Sequence, residues 1–413
     1  MTNTLDLQAR LSAALPERGN LVVTEAIKAA RRLGLPLYLV GGVVRDMLMG
    51  RAIRDVDLVV EGDAVRLASA LAEALSGEVV ARSQFGTAKL RVLEQSVDVV
   101  TARRETYKKP GALPTVFPGT IADDLARRDF TISSIALRLE PTPTQLLDPA
   151  GGQRDIQQRL IRVLHATSLQ DDATRIMRAV RYEQRLGFHL EQQTEKFLRR
   201  NLHMLDTISG DRLRRELDLI FREEQAGPTL LRAVELGAMA ALYPHLPDAP
   251  TMKQQLKRLS SSRGLAQPLH YLALLAYSMK DDEREGFIQR LTLTATWAKA
   301  VRDVALARES AAYLTTESSP AVVWRRLRGL SPEAVQVAGM LAGSEGARRN
   351  LHLYIQEWRH VRPRLTGHDL TRLGVPPGPQ IGNLLEELRD ARLEGRVRAR
   401  ADEEVLVTKR LAG

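Results

Sequence analysis

Cysteine is absent from the 413 residues. Disulfides and thiolate-held zinc are therefore excluded, and a reducing, cytoplasmic setting is expected. Aromatic residues are scarce at 4%. That is too few for rows of stacking rings to be the main grip on single-stranded RNA. No apolar stretch approaches membrane-spanning length, so no membrane partner is expected. The opening MTNTLDLQARLSAAL is acidic and polar, where a signal peptide would be basic and then apolar. The eight histidines are scattered, without metal-ligand spacing. No internal repeat or low-complexity tract stands out.

What is present is basic. Lys and Arg total 60 against 50 for Asp and Glu, a net charge of +10. An excess of this sign favours a polyanionic partner, nucleic acid first. The length predicts roughly two to three domains, with enough chain to bury a proper core.

The informative stretch is Leu37 to Val60, LYLVGGVVRDMLMGRAIRDVDLVV. Leu37 to Val40 reads as a buried strand. Gly41 and Gly42 allow a tight turn and close approach to a ligand. Val43 to Met49 suits a helix whose first N–H groups can face an anion, with Arg45 as a two-pronged donor to it. Gly50 stops that helix, and Arg54 to Val60 returns as a strand. Asp55 and Asp57 lie two apart on it, so both carboxylates point to one face. They form either a solvated pair at a strand end or a hard-oxygen site for a divalent cation. A phosphate-cradling turn just before them favours the second, with Mg²⁺ and a nucleoside triphosphate. No G-x-G-x-x-G follows the first strand, which argues against a dinucleotide-binding oxidoreductase.

GGVVRD followed by RDVDLVV resembles the active-site signature of the nucleotidyltransferase superfamily. The closer likeness is to the class II group that holds bacterial CCA-adding enzymes and poly(A) polymerases. Further segments carry it. Tyr107 to Pro114, YKKPGALP, is similar to the family's flexible loop, and Arg127 to Thr131 to its RRDFT motif. Asp148, Gly151, Gly152, Asp155 and Ile156 resemble its DP-x-GG-x-x-D-I segment, which reads mainly as structure. Asp171 to Arg175 resembles its E-D-x-x-R helix. Two departures stand out: Ser133 replaces a frequent Asn, and Asp171 replaces the usual Glu.

The resemblance implies an α+β protein. A nucleotidyltransferase head with a small mixed sheet and helices spans 1–148. An all-helical neck (149–225), body (226–365) and tail (366–413) follow. It implies nucleotidyl transfer from CTP or ATP to a tRNA 3′-OH with pyrophosphate release. Asp55 and Asp57 would hold two Mg²⁺ ions, while Gly41, Gly42 and Arg45 hold the triphosphate. Arg128 and Asp129 would contact the ribose, and Asp172 and Arg175 would read the base. Arg178, one turn further on, joins the nucleotide-binding candidates. Asp98 is either a third catalytic carboxylate on a neighbouring strand or an edge residue facing water. Asp172 and Arg175, three apart, are expected to project together from one helix face.

The other expectations are local. Leu5–Leu15, Val23–Leu33 and Ala64–Leu75 read as helices, the last capped by Asp63. Glu78–Arg82, Ala88–Leu93 and Ser96–Thr101 read as strands, with a turn at Gln84–Thr87. The prolines and glycines between Glu105 and Arg127 predict a long loop with little regular structure. Thr366–Leu370 and Pro376–Gly382 are expected to interrupt the helices before a last one at Leu384–Leu393. The Arg-rich end at Arg396, Arg398 and Arg400 would grip the tRNA acceptor arm through phosphates. The loop is full length, so AMP addition is expected. Full CCA synthesis is the first reading and A-only addition the second, with poly(A) polymerase sharing every motif. From another class, the alternative is an RNA-binding protein with a degenerate site. Oligomeric state is not legible here.

Overall fold

A computed structural model describes residues 4–53, 56–83, 86–107, 109, 111–112, 114–262, 264 and 266–412. Asp55, Arg54 at the expected strand start, and Gln84 and Phe85 of the expected turn lie outside the described residues. The chain divides into two compact units, Met1–Arg212 with Leu236–Leu242, and Leu213–Glu235 with Tyr243–Gly413.

The first unit opens with helices α1 (Thr4–Ala14) and α2 (Glu17–Leu33). The second begins six residues earlier than the sequence suggested, because Pro16 sits where a helix tolerates proline, just before its first turn. Strand β1 (Leu37–Val40) leads through Gly41 into α3 (Gly42–Leu48), and β2 (Val56–Val60) follows. Helix α4 (Ala64–Ala74) starts at Asp63, whose side chain accepts from the Arg66 N–H. Then come β3 (Glu78–Ser83), β4 (Thr87–Val92) and β5 (Gln95–Thr101).

The stretch expected to be irregular carries regular structure towards both of its ends. β6 (Arg103–Thr106) pairs antiparallel with β7 (Thr115–Pro118), and α5 (Ile121–Ala126) follows. The proline at 118 falls at the strand's end, and Thr120 with Asp123 forms a capping box that starts α5. Proline and glycine density hid a two-stranded ribbon because a ribbon needs so few residues.

β8 (Ala136–Glu140) and β9 (Gln145–Leu147) complete a seven-stranded sheet in the order β3-β4-β5-β2-β1-β8-β9. Only β2 and β5 run parallel in it; the other neighbours are antiparallel. Alternation divides its side chains between two cores. Leu37, Leu39, Val56, Leu58, Val60, Val97 and Val99 pack against α1 to α4. Tyr38, Val40 and Val59 face the other way, against Ala102, Ile121, Leu125 and Ala136. Asp57 and Asp98 therefore lie on the second face, towards α5.

Beyond the sheet, α6 (Gly152–Gln158) begins where Asp148 accepts from the Gly152 and Gln153 N–H groups. The neck was expected to be all helical. It carries one short parallel pair, β10 (Leu160–Ile161) with β11 (His189–Leu190), between α7 (Ser168–Asp171), α8 (Thr174–Leu186) and α9 (Gln192–Arg200).

The second unit is helical among the described residues. One core gathers Ala307, Trp324, Leu327, Leu351 and Tyr354, and a smaller one gathers Leu365, Leu370, Leu384, Leu388 and Val407. Two expectations need correction here. Thr366 and Asp369 form a capping box that starts a helix at Gly367–Arg372, where an interruption was expected. The Arg-rich segment leads into a further helix, Arg400–Ala412, anchored by the buried Glu403, which accepts from the Arg364 and Leu365 N–H groups and from Arg392. A capping box reads as a break when only the glycine is weighed. No helix among the described residues is long and apolar enough to cross a membrane.

Candidate active site

The glycine turn is shaped by an arginine 87 positions downstream. Gly41 has φ +66°, and a Cβ there would lie 2.5 Å from Nη1 of Arg128. Any side chain would be both strained and obstructed. The Gly41 N–H is already used, donating to the Ile135 carbonyl at 3.0 Å. Arg128 is thus one cation at the turn, and Arg45 is a second, its Nη2 3.6 Å from where a Cβ of Gly42 would lie. Arg45, expected to reach out to an anion, is 3% exposed. It donates to Asp46 at 2.8 Å and packs 5.7 Å from the Tyr182 ring centroid.

Arg128 is held by Asp124, a buried carboxylate that also holds Arg127. Arg128 reaches Oδ2 through Nε (3.2 Å) and Nη2 (2.8 Å), while Arg127 reaches Oδ1 at 3.0 and 2.5 Å. Burial alone would push the Asp124 pKa up. Arg128 and Arg127 outweigh it and hold the group below the ordinary carboxylate value. Sequence reasoning missed Asp124, although D-x-x-R-R is a pattern of i,i+3 and i,i+4 partners and was a usable signal.

Asp57 and Asp98 are register partners across the parallel β2–β5 pair. They lie side by side on one face, both half-buried. Lys89 stands opposite Asp98 on β4. The β1–β2 register, which pairs Leu39 with Leu58, carries the end of β1 and its glycine turn alongside Asp57. Asp55, the other half of the D-x-D, lies outside the described residues. Among the described residues no cluster of three or more His, Asp or Glu is placed to hold a metal. The two carboxylates that are described do offer adjacent hard oxygens, the donor chemistry that Mg²⁺ requires.

Asp129 is 8% exposed and engaged at both oxygens. Oδ1 accepts from the Phe130 N–H at 2.9 Å, and Oδ2 from Arg178 Nε and Nη2 at 3.0 and 2.5 Å. Burial opposes its ionisation, but Arg178 first, then Arg175 and Arg128, keep its pKa below the usual value.

Asp172 and Arg175 are not paired along one helix. Asp172 precedes α8, in extended conformation (φ −143°, ψ 100°). Its Oδ1 accepts from the Thr174 N–H (3.0 Å), the Thr174 hydroxyl (2.7 Å) and Arg212 Nη2 (2.7 Å). Arg175 is buried and donates to two carbonyls, Ser168 at 3.1 Å and Arg127 at 2.7 Å. Each side chain is thus fixed by its own partners. Arg212 comes from 40 positions away and gave no local signal.

Five of the predicted residues meet. Arg128, Asp129, Asp172, Arg175 and Arg178 line one cavity of about 350 Å³. The β6–β7 ribbon and its tip supply most of the opposite lining, including Glu105, Tyr107 and Pro114. Gly41, Gly42, Arg45, Asp57 and Asp98 are not in the lining; Arg128 links the cavity to the turn.

Residues 37–162 match the family model described as the poly A polymerase head domain. Residues 187–249 match a probable RNA and SrmB-binding site of polymerase A. An A-adding tRNA nucleotidyltransferase of Geobacter sulfurreducens is 34% identical over 96% of this chain, which spans 48% of that relative's length. One from Halalkalibacterium halodurans is 32% identical over 90% of this chain and 88% of its own. A CC-adding tRNA nucleotidyltransferase of Deinococcus radiodurans is 33% identical over 91% of this chain and 90% of its own. The chain belongs to the tRNA nucleotidyltransferase and poly(A) polymerase family. Solved members share its whole fold. The apo form II of a CCA-adding enzyme superposes with TM-score 0.82 at 29% identity, covering 97% of this chain and 98% of the other. The Thermotoga maritima CCA-adding enzyme complexed with tRNA superposes with TM-score 0.76 at 28% identity, covering 98% of each.

Proposed function

We propose that this chain transfers nucleotides to the 3′ end of tRNA, releasing pyrophosphate, and that AMP is among those it adds. One observation carries the reading. A single cavity gathers a ribose-type carboxylate with its arginine, Asp129 and Arg178, and a base-type pair, Asp172 and Arg175. The family's tRNA-acting members support the substrate, and two A-adding relatives support AMP. CMP addition is supported by a solved CCA-adding enzyme in complex with CTP that matches along nearly the whole chain.

In this reading Arg128, seated at the Gly41 turn, receives the triphosphate. Asp129 orients the ribose, and its engagement by Arg178 sets which oxygen lone pairs remain to accept from the 2′- and 3′-hydroxyls. Asp172 has Oδ1 saturated, leaving Oδ2 to accept from the exocyclic amine that both adenine and cytosine carry. Arg175 donates to the ring nitrogen beside it. Asp57, with Asp55, would hold Mg²⁺. When bound, the ion lowers the pKa of the attacking 3′-hydroxyl and offsets the triphosphate charge. Asp98 accepts the 3′-hydroxyl proton as O3′ bonds to the α-phosphorus and the bond to the pyrophosphate oxygen breaks.

The test is incubation with tRNAs ending before CCA, after C and after CC, with each NTP supplied singly. AMP joined to the CC-ending tRNA is the expected result. CMP joined to the shorter two would extend the activity to full CCA synthesis. Long A tails on any RNA would favour a poly(A) polymerase, and no transfer to any of them would overturn the reading.

A further inference from the structure

The cavity that carries the proposed nucleotide site is lined almost wholly by charged side chains, and among the described residues its one aromatic ring belongs to Tyr107. In a chain with so few aromatics, that ring is tethered at its hydroxyl. Its hydroxyl donates to Glu105 Oε2 at 3.0 Å. The Glu105 side chain is itself 6% exposed, and its Oε1 accepts from Arg103 at 2.9 Å and Arg127 at 3.2 Å. The phenol is thus tethered at its polar end by a buried, twice-paired carboxylate, and the ring body is left to the cavity. Burial, then Glu105, pushes the hydroxyl pKa up to about 12, so it stays a neutral donor throughout the working range. Arg175 and Asp172 are near enough to act on it electrostatically.

We propose that Tyr107 is a specificity-determining residue, and that its ring is the face on which the incoming nucleobase stacks while Asp172 and Arg175 engage the base edge. Edge contacts alone fix a base in its plane and leave it free to tilt. A rigid ring against the base removes that freedom, and the larger π-surface of adenine gains more than cytosine does. The inference rests on the proposed nucleotide site, and its test separates the two.

ATP, CTP and ribose 5-triphosphate, which has no base, are titrated into wild type, Tyr107→Leu and Tyr107→Phe by calorimetry. KM is measured in parallel on a CC-ending tRNA. Leu removes the ring and is expected to weaken ATP on the order of tenfold. CTP should weaken less and ribose 5-triphosphate hardly at all. Phe keeps the ring without its tether and is expected to stay within roughly threefold of wild type for ATP. Equal loss for ATP and the base-less triphosphate in Tyr107→Leu would mean a collapsed cavity and would overturn the proposal. So would unchanged ATP binding in that variant, or a Phe variant as weak as Leu. If wild type binds ATP but transfers nothing to any tRNA, the functional reading fails while the stacking result stands by itself.

Discussion

Arg178 on helix α8 closes on Asp129, 49 positions earlier, with two nitrogens on one oxygen. The pair joins the segment after α5 to the neck helix, and the carboxylate is too buried to be left without its cation. Arg178→Ala should cost roughly 2–3 kcal/mol, less than a fully buried pair because the Arg side chain is 33% exposed. Urea titration reads this directly, and Arg178→Lys should recover only part, since a lysine cannot reproduce the two-nitrogen grip. Wild-type stability in the Ala variant would refute the pairing.

Asp124 makes an acid-side prediction. Its folded pKa lies below its unfolded value of 3.8, so the stabilisation it supplies is fully present above that value. It is lost as pH falls below 3.8 towards the folded pKa. The stability gap between wild type and Asp124→Asn should therefore be flat from neutral pH down to about 5 and should narrow below about 4. A gap that is constant through pH 3 would contradict the assignment.

Gly41→Ala places a methyl group against Arg128 in a left-handed backbone. A loss of about 1–2 kcal/mol is expected from the backbone alone. Transfer activity should fall further than stability, because Arg128 must shift away from the turn. Full activity in a folded Gly41→Ala protein would separate that arginine from the chemistry.

Asp57→Ala should abolish transfer while leaving the circular dichroism spectrum and melting curve close to wild type, since its side chain is only half-buried. Asp98→Asn should lower turnover strongly as well. Substantial turnover by the folded Asp57→Ala protein would dismiss the carboxylate site.

Arg212→Ala removes one of the three donors on Asp172 Oδ1. The carboxylate can then turn, and selection against GTP and UTP should relax on the order of tenfold, by analogy with the loss of one hydrogen-bonded recognition contact. Competition assays with mixed NTPs check this. Unaltered selection would show that Thr174 suffices to orient Asp172.

Much of the architecture could be read from local pattern. The apolar run Leu37–Val40, the glycines at 41 and 50, and the cap at Asp63 each depend on a few adjacent residues, and each element appears where expected within one or two positions. The β6–β7 ribbon did not show itself, because its strands are four residues each and lie among prolines. The expectation that Asp172 and Arg175 share one helix face failed for a related reason, although both line the same cavity. Spacing predicts a shared helix face only where the helix has begun, and α8 begins at Thr174.

The order of residues alone determined which side chains alternate on each strand, where the backbone must turn, and which chemical groups are available. Those properties come from φ/ψ preference and side-chain periodicity, and neither requires knowing the path of the chain. Folding decided the neighbours. It set Asp98 beside Asp57 through a crossover of some forty residues, Arg128 against Gly41, and Arg212 on Asp172. These contacts join distant segments, so their geometry follows from how the strands order and the helices pack, which short-range pattern does not encode.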